Sequence, residues 1–339
     1  MQKTPIEWTD VSWNPVTGCT KISQGCKNCY AEKIAERFRG TKTFPNGFDV
    51  TLHPERLEQP LHWRKPRRIF VNSMSDLFHE QVLDLFIRQV WAVMAACPQH
   101  TFQILTKRPE RMAKVLGGGV YSIAAVDWFT SQFGLRAQPS EAWPLPNVWV
   151  GTSVEDQVSA NTRIPWLLKA PAAVRFLSCE PLLGPITLSK LTAPWYEPGY
   201  ATGREVYPLL GLMAIPDMDW EVGKLDWIIA GFESGPSARP GHPAWVRSIR
   251  DQCQVASVPF FFKQWGQYRP LPEPYGRLCG PGVPDTSRHG VAVDLDATWY
   301  DWDNHSMGDL SDEAWLMERV GKKRAGRLLD GRTWEEFPA

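Results

Sequence analysis

The chain has 339 residues, 43% of them hydrophobic, with 37 Lys and Arg against 37 Asp and Glu. This composition excludes general disorder, and the formal net charge of zero excludes a chain-wide basic or acidic surface. The length suits one large α/β domain or two small ones.

The opening MQKTPIEWTD carries no apolar run, and no stretch approaches ~20 apolar residues, so neither a secretory leader nor a membrane-spanning helix is expected. Seven cysteines, four of them scattered, do not read as a secreted disulfide framework, and a cytoplasmic setting with reduced thiols is expected. Seventeen tryptophans imply aromatic core packing, with stacking on nucleic-acid bases as the sharper alternative.

A first strand is predicted within Val11–Val16, feeding NPVTGCTKISQGCKNCYAE, residues 14–32, which holds Cys19, Cys26 and Cys29. A helix of about Asn28–Phe38 follows, apolar or small at Ala31, Ile34, Ala35 and Phe38. After a loop with Pro45, Gly47 and Pro54, the basic run Arg64-Lys65-Pro66-Arg67-Arg68 enters a strand over Ile69–Asn72. A helix of about Glu80–Ala96 leads to a strand over Thr101–Leu105, and Pro109 opens a short helix. Residues 117–146 read as an insertion. Strands over Val148–Gly151 and Val174–Ser178 flank a helix ending near Lys169, and residues 190–224 read as a second insertion. A strand over Trp227–Gly231, a helix of about Ala244–Val255 and a strand over Val258–Phe262 close the pattern. Residues 264–339 are polar, Trp-rich and weakly periodic, and read as a C-terminal extension to a domain of residues 1–263.

Apolar strands alternating with helices imply parallel β/α units, and six or seven of them suggest a partial barrel more than a doubly wound sheet. In such a fold the chemistry sits at the carboxyl ends of the strands. Polar residues fall there: Cys19, Ser75, Asp76, Lys107, Ser153, Glu180 and Glu233.

Thiolates are metal ligands, and three cysteines this close read first as a metal or cluster site. A structural zinc site normally closes with four protein ligands, and the first histidine is as far away as His53. A four-iron cluster on three thiolates would leave one iron open. Zinc with a distant fourth ligand is the alternative. Lys21 and Lys27 beside the cysteines would favour thiolate, or are simply surface lysines.

Asn14, Pro15, Gly18, Cys19, Gly25, Cys26, Cys29, Tyr30 and Ala31 resemble the cluster loop of radical S-adenosylmethionine (SAM) enzymes, in particular the spore-photoproduct-lyase-like branch. The common form is C-x3-C-x2-C; here the first gap is six residues instead of three. The longer loop, closing in GCKNCYAE, resembles the phage Gp37/Gp68 (three-Cys-motif, DUF5131) family, and that likeness runs over nearly the whole chain.

The resemblance implies a partial (β/α)6-type TIM barrel of the radical SAM kind, with insertions and a C-terminal extension. It implies a [4Fe–4S] cluster on Cys19, Cys26 and Cys29, with SAM as cofactor. Lys107 resembles the lysine near the SAM carboxylate, Ser153 the serine sharing that role, and Ser75-Asp76 the pair near the SAM amino group. A helix N-cap is the structural alternative for the serines and the aspartate. Cys179 would donate a hydrogen atom to a radical, or is a packing cysteine like Cys97, Cys253 and Cys279. Glu180 and Glu233 would serve substrate binding, proton transfer or structure, with Arg108 or Arg239 as partners. His242 and His289 are assigned nothing.

The function implied is a radical SAM enzyme, phage or mobile-element associated, that cleaves SAM reductively and acts on nucleic acid, by DNA lesion repair or base modification. Its partners would be DNA, a reductant such as a flavodoxin or ferredoxin, and a three-Cys-motif partner protein, with no membrane. The basic runs Arg64–Arg68 and Lys322–Arg327, near Trp63 and Trp334, would track phosphates, or are solvated charge. Two alternatives stay open: a non-catalytic zinc-binding module, and a radical enzyme acting on a small molecule or peptide.

Overall fold

The computed structural model describes residues 4, 6–118, 143–192, 205–215, 218–272, 276, 290–301, 311 and 313–339. In chain order the elements of the first half are β1 (Val11–Trp13), β2 (Val16–Thr17), α1 (Tyr30–Arg37), β3 (Thr51–Leu52), β4 (Arg68–Val71), α2 (Asp84–Ala95), β5 (Thr101–Thr106), α3 (Pro109–Gly117) and β6 (Val148–Ser153). The rest are α4 (Gln157–Lys169), β7 (Val174–Cys179), β8 (Leu191–Thr192), β9 (Glu205–Tyr207), β10 (Leu212–Ile215), β11 (Met218–Glu221), β12 (Trp227–Gly231), α5 (Pro243–Val255), β13 (Phe260–Gln264), β14 (Tyr268–Pro270), β15 (Gly290–Val293), β16 (Trp299–Asp301), β17 (Trp315–Arg319) and α6 (Lys322–Ala325).

The fold is mixed α/β. Its largest sheet is a curled, parallel half-barrel of seven strands in the order β1-β4-β5-β6-β7-β12-β13. The seven apolar runs of the sequence supply these strands. β12 is buried at all five positions, the signature of a parallel strand covered on both faces. The strand expected over Val11–Val16 is divided. Pro15 lacks an amide for the ladder, so β1 stops at Trp13 and β2 pairs antiparallel with β3 instead.

Two compact units divide the chain. The first comprises Met1–Ser153, Arg163–Phe176 and Glu221–Lys224, the second Val154–Thr162, Leu177–Trp220 and Leu225–Ala339. In the first unit, β1 pairs with β4, β4 with β5 and β5 with β6, all parallel, so their carboxyl ends share one edge. Its core is aromatic. Trp8 packs edge-on against Phe70 at 4.8 Å, and Trp13 tilts against Phe102 at 5.9 Å. α1 buries only Ala31 and Ala35 and leaves Ile34 and Phe38 exposed, although the periodicity groups all four on one face.

In the second unit, β12 pairs parallel with β13, and Phe232 stacks on Trp265 at 5.4 Å. The segment 334–336 runs alongside β13: Phe262 N–H donates to the Trp334 carbonyl at 3.0 Å, and Glu336 N–H to the Phe260 carbonyl at 3.2 Å. Residues beyond 264, weakly periodic in sequence, form a four-stranded antiparallel sheet, β14-β17-β15-β16. The second expected insertion holds another four-stranded sheet, β11-β10-β9-β8, in which β10 and β8 each pair antiparallel with β9. Strands of two to five residues are too short to write a period into the sequence. Residues 119–142 and 193–204 of the two expected insertions lie outside the described residues. No described helix is long and apolar enough to cross a membrane.

Three buried histidines of the first unit set a pH dependence. His53 is held below its ordinary pKa by burial and by Arg56, against Glu55. His79 is held down by burial and by Arg108 and Arg111, against Glu80 and Asp76. His100 is held down by burial and Arg67, against the Pro60 and Trp63 carbonyls. Each takes up a proton less readily when folded than once unfolded. Their stabilisation is therefore complete above about pH 6.5 and drains as pH falls below it. Thermal unfolding is expected at a lower temperature at pH 5 than at pH 7.5; a midpoint that rises on acidification would refute this.

Candidate functional site

The loop carrying Cys19, Cys26 and Cys29 is stitched to the segment after β4. Asn14 Oδ1 accepts from Met74 N–H at 3.1 Å and Ser73 Oγ at 3.2 Å, and Asn72 Oδ1 accepts from Val16 N–H at 3.2 Å. Ser75 Oγ donates to the Val16 carbonyl at 2.8 Å, and Gly18 N–H to the Met74 carbonyl at 3.0 Å. Gly18 sits at φ +84°, where a Cβ would lie 2.2 Å from the Asp49 carbonyl oxygen, so no other residue fits there. Cys26 ends a single 3₁₀ turn, and Cys29 caps the start of α1. All three thiols are free and half-buried.

The turn after β5 faces this loop. Lys107 Nζ donates to Ser23 Oγ at 3.3 Å, and Ser23 Oγ lies 3.6 Å from Cys26 Sγ. Burial raises the Cys26 thiol. The Lys107 ammonium and hydrogen bonds from the Ile22 and Ser23 backbone and the Ser23 hydroxyl outweigh it, so the pKa is lowered overall. Arg108 is buried and donates to Cys19 Sγ at 3.6 Å and to Thr20 Oγ1 at 2.8 Å. The Cys19 thiol is pushed up to about 11, first by burial and then by Asp76, with Arg108 pulling against both.

Asp76 is the anchor of this arrangement. Its Oδ1 accepts from Thr106 Oγ1 at 2.7 Å and Phe78 N–H at 3.0 Å; its Oδ2 accepts from Lys107 N–H at 3.1 Å and Arg108 Nη1 at 3.2 Å. His79 Nδ1 accepts from Gln81 N–H at 3.2 Å, so its proton is on Nε2, 2.9 Å from Thr20 Oγ1.

Cys19, Cys26, Ser75, Asp76 and Lys107 thus come together in the first unit, and Cys29 joins them through its backbone, its N–H donating to the Cys26 carbonyl at 3.3 Å. Ser75 and Asp76 act there through the protein's own backbone and side chains. Ser153 ends β6 and is buried; its neighbour Thr152 hydrogen-bonds the Thr106 carbonyl at 2.8 Å. The other three candidates belong to the second unit. Cys179 is 0% exposed, and burial, then the charges of Cys253, Glu180 and Glu155, push its thiol well up. Glu180 pairs with Lys263 at 3.0 Å. Glu233 is buried and accepts from Arg239, at 2.8 Å from its backbone N–H and 3.0 Å from Nε. The expected Arg239 partnership is present, while Arg108 serves Asp76 and Glu80 rather than either glutamate.

Thr20, His79 and Arg108 were not assigned to the cysteines from sequence. Only position signals them: Thr20 follows Cys19, and Arg108 follows Lys107 at a strand end.

Among the described residues no three His, Cys, Asp or Glu side chains are grouped so as to hold a metal ion. The donor set itself suits an iron–sulfur cluster. It is three free thiols on one loop, with a guanidinium on one sulfur and an ammonium near another to offset negative charge.

No curated protein and no solved structure matches the chain. One family model does, over residues 3–338, described as a protein of unknown function, DUF5131.

Proposed function

The chain belongs to the DUF5131 family, and we propose that it is an iron–sulfur enzyme of the radical SAM type acting on nucleic acid, DNA foremost. The observation that carries this reading is the set of three free, half-buried cysteines on one loop at the carboxyl edge of parallel strands, faced by Lys107 and Arg108 from the next turn.

When bound, a [4Fe–4S] cluster supplies one electron for cleaving SAM into methionine and a 5′-deoxyadenosyl radical. Cys19, Cys26 and Cys29 would hold the cluster. Three protein ligands would leave one iron without a protein ligand, the opening a reactive site needs. Lys107 offers a point charge to the SAM carboxylate, with Ser153 as a second polar contact. Asp76 fixes the backbone N–H of Lys107 and the guanidinium of Arg108, which sets the direction in which both side chains leave the turn.

The nucleic-acid assignment draws on the surface of the cysteine loop and α1. Lys27, Lys33 and Arg37 are exposed there beside exposed Tyr30, and Phe38 and Lys42 are exposed just after α1. Cations interleaved with aromatic faces suit a strand with splayed bases. The Arg64–Arg68 run does not contribute. It enters the amino end of β4, at the opposite edge of the sheet from the cysteines. A reductant such as a flavodoxin or ferredoxin, and a three-Cys-motif partner protein, complete the proposed system. A reducing cytoplasm suits the free thiols.

The test is anaerobic reconstitution with iron and sulfide, reduction, and addition of SAM with and without DNA. About four irons per chain and 5′-deoxyadenosine, formed faster with DNA, are expected. Zinc in place of iron, with SAM left intact, overturns the proposal. Turnover indifferent to DNA overturns the substrate class alone.

A further inference from the structure

A guanidinium carries five N–H donors in a fixed planar fork and stays charged at every working pH. In Arg108 all five are spoken for. Nε donates to Glu80 Oε1 at 2.8 Å. Nη1 donates to Asp76 Oδ2 at 3.2 Å and Cys19 Sγ at 3.6 Å. Nη2 donates to the Thr20 carbonyl at 3.5 Å and Thr20 Oγ1 at 2.8 Å. The side chain is only 6% exposed.

An ion pair with Asp76 and Glu80 would use two of those donors. The other three all go to the Cys19-Thr20 dipeptide, from a residue 89 positions away from Cys19. His79 Nε2, 2.9 Å from the same Thr20 hydroxyl, fixes that dipeptide from a second side. Cys19 is the thiol held by a buried, permanent cation; Cys26 instead has the Lys107 ammonium, which reaches it across Ser23. The three sulfurs are therefore not electrostatically equivalent.

We infer that Arg108 is a positioning residue that fixes the direction of the Cys19 sulfur and raises the reduction potential of the metal group bound there. The inference rests on the iron–sulfur reading above. A sulfur that ligates a metal still accepts a hydrogen bond, and donors and positive charge at the sulfur stabilise the reduced state. Asp76 and Glu80 hold Arg108 in place and offset its charge, so what Arg108 brings to the sulfur is chiefly the directed N–H donor of its guanidinium.

The test compares wild type, Arg108→Gln and Arg108→Lys, each reconstituted anaerobically. Iron and acid-labile sulfide are measured first, then the midpoint potential by electron paramagnetic resonance during a redox titration. Arg108→Gln is expected to lower the reduced-to-oxidised ratio at a fixed potential about tenfold, or about 59 mV for a one-electron couple. Arg108→Lys, which keeps the charge but loses the fork, is expected to fall between that variant and wild type. A wild type that takes up no iron and sulfide overturns the cluster reading and this inference with it. A loaded Arg108→Gln protein with the wild-type midpoint overturns the inference alone. Where Arg108→Gln does not fold, Arg108→Lys decides by the same titration: a lowered midpoint supports the inference, and an unchanged one overturns it.

Discussion

Cys26→Ala is expected to fold like the wild type and to bind essentially no cluster iron. The side chain is half-buried, and its sulfur contacts are the Ser23 hydroxyl at 3.6 Å and local backbone N–H groups. Trimming it to a methyl group costs at most about 1 kcal/mol of stability. The loss of one thiolate in three is a different matter, because two thiolates do not hold a four-iron cluster in place. Formation of 5′-deoxyadenosine should fall at least about a hundredfold, a barrier increase of about 2.7 kcal/mol or more. The comparison variant is Cys97→Ala. Cys97 is 1% exposed in the core of the first unit, so its truncation should lower the melting temperature and leave iron uptake intact. Metal analysis and circular dichroism on the two variants separate the roles. Full iron content in Cys26→Ala would remove that cysteine from the site.

Asp76→Ala is expected to cost about 3–5 kcal/mol, the range found when one partner of a buried ion pair is removed. Both partners are almost solvent-free, at 8% exposure for the Asp76 side chain and 6% for Arg108. The variant strands four donors at once: Phe78 N–H, Thr106 Oγ1, Lys107 N–H and the Arg108 guanidinium. The thermal transition should fall by on the order of 10 °C. Glu80→Ala removes the other carboxylate on Arg108, but Glu80 is 67% exposed and the change should stay within about 1 kcal/mol. Thermal and denaturant unfolding of both variants measures the contrast. An Asp76→Ala protein as stable as Glu80→Ala would mean that Arg108 does not depend on Asp76.

The parallel strands were legible in the sequence because each is a short apolar run ending in polar residues. Val174–Ser178 and Trp227–Gly231 needed little more than that pattern. That Cys19, Cys26 and Cys29 share one loop was legible because they are close in the chain. What packs against it was not. Arg108 lies 89 residues from Cys19 and His79 lies 59 from Thr20, and no local pattern reports such a pairing. The role of Asp76 was only half visible. Its position at a strand end marked it as a ligand contact or a helix cap, yet its four bonds organise the turn after β5. α1 failed in another way. Only the small Ala31 and Ala35 are buried, while Ile34 and Phe38, apolar and on the same periodic face, stay exposed. The antiparallel sheets beyond the half-barrel left too few residues per strand to be read.

The segment running along β13 has a consequence for the behaviour of the protein in a crowded solution. β13 is the terminal strand of the seven and begins with three consecutive phenylalanines, Phe260, Phe261 and Phe262. A bare terminal strand of that composition is a template on which further chains can add by backbone pairing, the first step of aggregation. Trp334 and Glu336 occupy the amides and carbonyls that such an incoming chain would need, and Glu336 also places a carboxylate on the Phe260 N–H at 2.9 Å. The strip from Trp334 to Phe337 therefore acts as a built-in blocker of self-assembly. Loss of it, by nicking near Arg332, would leave the seven strands in place and give the sheet an adhesive edge.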